Sequence, residues 1–469
     1  MPHEPHSLGK RRRTAPLWLM GLTNATFGLV SGFIVLPLPQ MLAVQGVSTA
    51  EISIVSGACL LPGFWVFLLG PVLDMRFSRR WYATFFALLA GTGLAAAVSF
   101  STHVRVLEAL LMLSYAAAAL SSNALGGWLA GLVPEGEEST RRAADGGHKD
   151  VASLSDVASL SAAASLSAWT QVGLFLGNGA MAVLAGEGLA AQARGAIPFG
   201  MLAVLLGALV ALPVVVFPWM PVHETLRPDG TPARERFGHL FRDLRHLLQR
   251  RQVLVALMLF VLPTGSFALT NLLGSQVASF HASDEFVSRM GGVVLSSVGA
   301  ASCLLVPVLA RWLRALPLYL LIGTVGSVFT LAMLLMPRTP ATFAIAFLGE
   351  NIVQAMSFTT AVSICFETIG HGNPLAATQF SLLTSATVLP IVYMGVFDGR
   401  VSIAHGLSGM YTFDGVLSLL ACLVMIAFFR RLNVHSEEAL AELQLHPMSA
   451  HPTAATVNVK ATVDGEGRQ

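Results

Sequence analysis

Long apolar runs, each about the length of a membrane crossing, alternate with short polar segments from one end of the chain to the other. A helix needs about 20 mostly apolar residues to cross the hydrocarbon core. With that window, spans are predicted near 16–43, 51–73, 81–101, 105–132, 162–186, 196–218, 253–279, 290–310, 317–336, 341–367, 375–397 and 408–429. These runs are too long and continuous for barrel strands, which alternate over about ten residues. The pattern therefore predicts an all-α integral membrane protein with twelve transmembrane helices.

The polar segments set the expected orientation. If the N-terminus is cytoplasmic, 23 of the 28 Lys and Arg residues fall on the inner side and 5 on the outer side. That asymmetry puts both termini in the cytoplasm. The longest polar connection divides the chain into two six-helix halves, giving a cytoplasmic N-terminus over 1–15, a half at 16–218, a linker at 219–252, a half at 253–429 and a cytoplasmic tail at 430–469 that is expected to be disordered. Within the linker, Phe237, Leu240, Phe241, Leu244, Leu247 and Leu248 share one helical face amid basic residues. This reads as an amphipathic helix on the anionic inner leaflet. The "VASLSDVASLSAAASLS" stretch at 151–167 is a local duplication expected to extend the loop before span 5.

Composition agrees with the pattern. Residues are 54% hydrophobic and 12% charged, with a mean hydropathy of +0.68. Soluble domains carry roughly 25% charged residues. A net charge of +2 gives no argument for nucleic acid as a partner. The N-terminal "KRRR" precedes an apolar segment read as a retained first span, with no cleavable signal. Cys59, Cys303, Cys365 and Cys422 lie in apolar runs without metal-ligand spacing. All 13 histidines fall in loops, termini or span edges, which leaves no Ser-His dyad, HExxH or haem ligand inside the membrane. No catalytic residue, metal or cofactor is expected, and the chain reads as a non-enzyme. Neither a selectivity filter nor a Walker A motif occurs.

One junction stands out. In "GPVLDMRFSRR", Gly70–Arg80, a single carboxylate, Asp74, meets Arg76, Arg79 and Arg80 at the inner end of span 2. Positive-inside anchoring accounts for the arginines but not for Asp74. A related "VPVLARWLRAL" follows span 8, with Ala310 in the place of the aspartate. Six plus six spans with a repeated loop is the organisation of major facilitator transporters, and "GPVLDMRFSRR" resembles that superfamily's loop 2–3 signature, although Met75 replaces its first arginine. The resemblance implies the major facilitator fold, alternating access, and a cytoplasmic gate built from Asp74, Arg76, Arg79 and Arg80. A gate needs a bond that can break and re-form.

Three longer stretches are similar to AmpG-type permeases, a family that includes acetyl-CoA transporters and siderophore permeases. They are Gly46–Asp74, "SSNALGGWLAGLVPEGEE" at Ser121–Glu138, and Gly349–Ala386 with its Glu350-Asn351 pair and "ATQF". The family's span 4 usually carries two aspartates, where this chain has Ser122 and Gly126. The resemblance implies proton-coupled uptake of a small polar solute across the inner membrane, by a monomer whose partners are the solute, the bilayer and protons.

Ionisable groups inside a bilayer are costly and functional by default. Glu350, about nine residues into span 10, and Asp414 in the outer third of span 12 are the expected proton-coupling or substrate carboxylates. Uncharged candidates for the cavity lining are Asn24, Asn123, Gln171 and Asn178 in the first half, and Asn271, Gln276, Asn351, Gln354, Gln379 and Tyr393 in the second. Such amides also serve as glue between helices. Spans 1 and 7 hold matching places in the two halves. Gly28, Gly32, Pro37 and Pro39 in the first, and "LPTGSF" at Leu262–Phe267 in the second, predict interrupted helices.

Overall fold

A computed structural model of the chain describes residues 15–133, 149–221, 242, 245, 247–264, 269–283, 286, 290–370 and 373–445. The described residues are helices and their connections, without strands. They form one compact unit over Met1–Leu423 and a second over Val424–Gln469. The N-terminal "KRRR", most of the amphipathic linker and the far tail lie outside the described residues.

Ten helices are long and apolar enough to cross a membrane among the described residues. Nine match predicted spans one to one: Leu17–Val44, Ile54–Asp74, Arg79–Ser99, Val104–Ala130, Ser161–Ala193, Phe199–Trp219, Met290–Leu309, Ala315–Leu335 and Pro340–Ile369. They are spans 1–6 and 8–10. The tenth, Ala376–Arg431, is two helices joined at Gly406, whose φ of 67° and ψ of −167° are not helical. Glycine takes that conformation without steric cost. This helix therefore holds spans 11 and 12, meeting at a one-residue turn. Span 11 runs on past its predicted end at 397, because the expected outer loop is itself helical.

Span 7 is missing from the ten because it is broken, as expected. Arg251–Val261 ends where Leu262 turns extended ahead of Pro263, and helix resumes over Leu269–Leu273 and Gly274–Phe280. The last four residues of "LPTGSF" fall on or beside 265–268, outside the described residues apart from Thr264. Span 1 is likewise interrupted, at Thr23–Asn24 and again at Leu36 before Pro37. Its glycines serve another purpose. A Cβ on Gly28 would lie 2.0 Å from the Leu174 carbonyl oxygen, so Gly28 lets the backbones of spans 1 and 5 touch. The 151–167 duplication is not a loop extension but part of the helix Lys149–Ala193, as its Ala and Leu content favours.

The break in span 7 is seated against span 9. A Cβ on Gly323 would lie 1.7 Å from the Thr264 carbonyl oxygen, which also accepts from Cys422 Sγ at 3.1 Å. Gly323→Ala is expected to destabilise the protein by about 3 kcal/mol, the upper end for overpacking. The check is thermal unfolding in detergent, and an unchanged melting temperature would contradict the tight seat.

Candidate functional site

The junction that stood out in the sequence forms a clasp between the two parts of the bundle. Span 2 ends in a 3₁₀ stretch, Val66–Asp74, and span 3 starts at Arg79, where Ser78 caps the helix by accepting from the Trp81 amide. Between them the Asp74 side chain is fully buried. Its Oδ2 accepts from the Thr378 amide at 2.7 Å and from Thr378 Oγ1 at 2.8 Å. Its Oδ1 accepts from the Ala377 amide at 3.3 Å and from Arg79 Nε at 2.8 Å. Ala377 and Thr378 lie in the first turn of span 11, whose amides have no partner within their own helix. Asp74 therefore caps a helix in the other half of the sequence, at the end where the helix dipole favours a negative charge.

Arg79 completes the clasp by donating from Nη2 to the Asn373 carbonyl at 2.8 Å. Asn373 Nδ2 in turn donates to Gln379 Oε1 at 2.8 Å, so Gln379 belongs to this end of span 11. The other two arginines play different parts. Arg76 is exposed, with its guanidinium 5.4 Å from the centre of the Phe77 ring. Arg80 is half-buried and its carbonyl accepts from Thr84 Oγ1.

Span 4 seals the same end. Asn123 Nδ2 donates to Ser381 Oγ at 2.8 Å, and Thr384 Oγ1 approaches Asn123 Oδ1 at 3.5 Å. A Cβ on Gly127 would lie 2.5 Å from the Ala377 nitrogen, and one on Gly126 only 2.2 Å from the Phe380 ring. That ring stacks on Phe366, with centroids 5.7 Å apart. The position at which AmpG-type span 4 carries its second aspartate is thus filled by an aromatic ring from span 11. At the other position, Ser122 Oγ donates to Asn24 Oδ1 at 2.7 Å, while Asn24 Nδ2 donates to the Thr170 carbonyl at 3.3 Å. Asn24 therefore ties together spans 1, 4 and 5. Trp128 donates from Nε1 to the Pro221 carbonyl at 2.8 Å, fixing the end of span 4 to the end of span 6.

The remaining amides spread along the bundle. Gln171 is buried in span 5, and Asn178 is half-buried, with its Oδ1 2.7 Å from where a Gly32 Cβ would sit. Gln276 donates to Ser402 Oγ at 3.2 Å, joining span 7 to span 11. Tyr393 donates to the Val261 carbonyl at 2.9 Å, satisfying one of the acceptors freed by the break in span 7. Gln354 is half-buried in span 10. Asn271 is in a helical segment, but its side chain lies outside the described residues.

The adjacent residues Glu350 and Asn351 face different ways. Asn351 is buried, with Oδ1 3.0 Å from where a Gly299 Cβ would sit, and the Phe175 ring of span 5 meets the same point. It looks toward the contact between spans 5, 8 and 10. Glu350 is fully buried and turned the other way, accepting from Thr330 Oγ1 of span 9 at 2.6 Å and lying near Tyr411 of span 12.

Asp414 is buried as well, and it faces a carboxylate that the span pattern passed over. Asp398 of span 11 is fully buried, and Asp414 is the acidic group in its neighbourhood. The sequence carries a signal for this pair. Phe397-Asp398-Gly399 and Phe413-Asp414-Gly415 are two copies of one tripeptide, with each aspartate eight residues from Gly406. A tight turn at the midpoint brings such positions to the same depth on facing helices, about 12 Å from the turn at 1.5 Å per residue.

No protein-family model matches the sequence, and no curated protein matches it. Solved structures do share the fold. The human organic anion transporter MFSD10 (TETRAN) is 15% identical over 89% of this chain and 100% of its own, with a TM-score of 0.59. The proton:xylose symporter XylE, bound to 6-bromo-6-deoxy-D-glucose, is 14% identical over 88% of this chain and 95% of its own, also at 0.59. FucP in the outward conformation is 12% identical over 89% and 99%, at 0.63. Each is described as a transporter or symporter, and two are named as members of the major facilitator superfamily. This multi-pass membrane chain has the major facilitator fold.

Proposed function

We propose that this chain, built on the major facilitator fold, is a secondary transporter that takes up a small polar solute across the cytoplasmic membrane by alternating access. The carrying observation is the Asp74 clasp. It joins the loop after span 2 to the first turn of span 11 through hydrogen bonds, which can break and re-form. In this reading the clasp is the cytoplasmic gate and both termini are cytoplasmic, as the 23-to-5 split of basic residues favours.

Coupling to protons is part of the proposal. Glu350 and Asp414 are carboxylates held out of water inside the bundle, the usual chemistry of a proton carrier. XylE, with a comparable fold, is a proton:xylose symporter. The solute proposed first is an anhydromuropeptide, following the likeness to AmpG-type permeases. A second reading, a siderophore or another polar metabolite, is favoured by Phe380 standing where a span 4 aspartate would project. Strongly anionic acyl-CoA fits less well, because the predicted spans contain no Lys or Arg to meet it.

The deciding experiment is uptake of labelled anhydromuropeptide into cells that lack their own permease, with and without a protonophore. Protonophore-sensitive uptake supports the muropeptide reading. No uptake by protein shown to be inserted would turn the proposal to siderophores. Failure of every tested solute to move would leave a non-transporting membrane sensor or scaffold.

A further inference from the structure

Three glycines of the first half meet the start of span 11, two of them too closely for any side chain. Gly126 and Gly127 are neighbours inside the span 4 helix, Val104–Ala130, and Gly70 lies four residues before Asp74 in span 2. A Cβ on Gly127 would run into backbone, with the Ala377 nitrogen at 2.5 Å, its Cα at 2.6 Å and the Ala376 carbonyl carbon at 2.9 Å. One on Gly126 would overlap three atoms of the Phe380 ring, Cζ at 2.5 Å among them. One on Gly70 would lie 3.2 Å from Ser381 Cβ and 3.3 Å from Thr378 Cα. The Phe380 ring is buried and stacked on Phe366, so it cannot swing aside without losing that stack. Adjacent glycines weaken a helix interior relative to alanine, and this contact gives the pair a purpose.

We propose that Gly70, Gly126 and Gly127 form a cradle for the first two turns of span 11, and that this seat positions the Asp74 clasp. The proposal rests on the gate reading above. Carbon atoms in contact sit about 3.5–4.0 Å apart, so a methyl at 126 or 127 pushes span 11 back by about 1 Å. If span 11 moves as one body, the 2.7 and 2.8 Å bonds from Thr378 to Asp74 stretch beyond hydrogen-bonding range. The glycines therefore act on the gate without touching its carboxylate. Clasp and cradle also answer to different changes, the first to charge and the second to volume. The host glycines belong to the first half and the guest turns to the second. Rocking apart must empty the cradle, and closing must refill it.

The test is thiol labelling of the full chain in inside-out vesicles with no solute added. The reporter is Ser381→Cys in a background lacking the four native cysteines, and the reagent does not cross the membrane. Gly126→Ala and Gly127→Ala should each raise the labelling rate at least about tenfold. Gly57→Ala is the control for glycine replacement in a span, because a Cβ there meets nothing within 4 Å, and it should label at the parent rate. Phe380→Ala should restore slow labelling to Gly126→Ala, whose clash is with the ring. It should not restore Gly127→Ala, whose clash is with backbone. A role in folding alone would not separate these two double variants.

Melting temperatures report folding. If neither variant folds, Gly70→Ala, which asks its neighbours to give only slightly, should label about threefold faster. Parent rates in the folded glycine variants, or a Gly126→Ala effect that Phe380→Ala leaves in place, would overturn the proposal. Fast labelling of Asp74→Ala beside parent rates for the glycine variants rejects the cradle and keeps the gate. A parent rate for Asp74→Ala as well rejects the gate reading itself.

Discussion

Glu350→Gln is expected to abolish accumulation of solute against its gradient while leaving the protein folded and inserted. Thr330 Oγ1 donates to Glu350 Oε1 at 2.6 Å, and a glutamine Oε1 accepts that bond equally well. Size, shape and the contact with span 9 are therefore kept. What is lost is the ability to take up and release a proton. A carrier so altered still exchanges solute across the membrane, but solute comes only to equal concentrations on the two sides. Uptake into vesicles with and without an imposed pH gradient reads this directly, with counterflow exchange as the control for a working carrier. Normal concentrative uptake by the variant would remove Glu350 from the coupling path.

Asp74→Ala should open the clasp. The carboxylate accepts two backbone amides, one hydroxyl and one guanidinium, all in a setting where its side chain is fully buried. Hydrogen bonds to charged groups are worth about 1.5–3 kcal/mol each in stability, but water takes over the freed partners once the end opens. A net loss of about 2 kcal/mol is reasonable, which moves a two-state equilibrium roughly thirtyfold. Ser381 is fully buried beneath the clasp, where its hydroxyl holds Asn123. A Ser381→Cys reporter, in a background lacking the four native cysteines, should then react with a membrane-impermeant thiol reagent at least about tenfold faster when Asp74 is alanine. Asp74→Asn keeps an acceptor but loses the charge, so it should slow turnover while leaving solute binding intact. Equal labelling in parent and variant, or an unchanged turnover, would rule out the gate.

Much of this architecture could be read from the chain. Charges close nearly every apolar run, and Pro263 and Pro37 announce the breaks in spans 7 and 1 because proline cannot supply the amide that a continuous helix needs. Asp74 was legible as well, since a lone carboxylate among arginines is unexplained by anchoring. Its partners were not, because the amides of Ala377 and Thr378 have no side-chain signature. Phe380 carries no signal of its own in the sequence, since its place over Gly126 depends on how spans 4 and 11 cross. Asp398 was missed for a different reason. Arg400 and the neighbouring polar residues look like a loop to a hydropathy window, whereas the helix continues to a turn of a single glycine.

That turn has a consequence for how the protein is made. With Gly406 alone between them, spans 11 and 12 have no slack with which to enter the bilayer separately. Each carries one aspartate, which on insertion scales costs about 2.5–3.5 kcal/mol at the centre of a lone helix. Released as a hairpin, the two helices present their aspartates to each other instead of to lipid. The last two spans are therefore expected to insert together, with each aspartate's cost lowered by the facing helix.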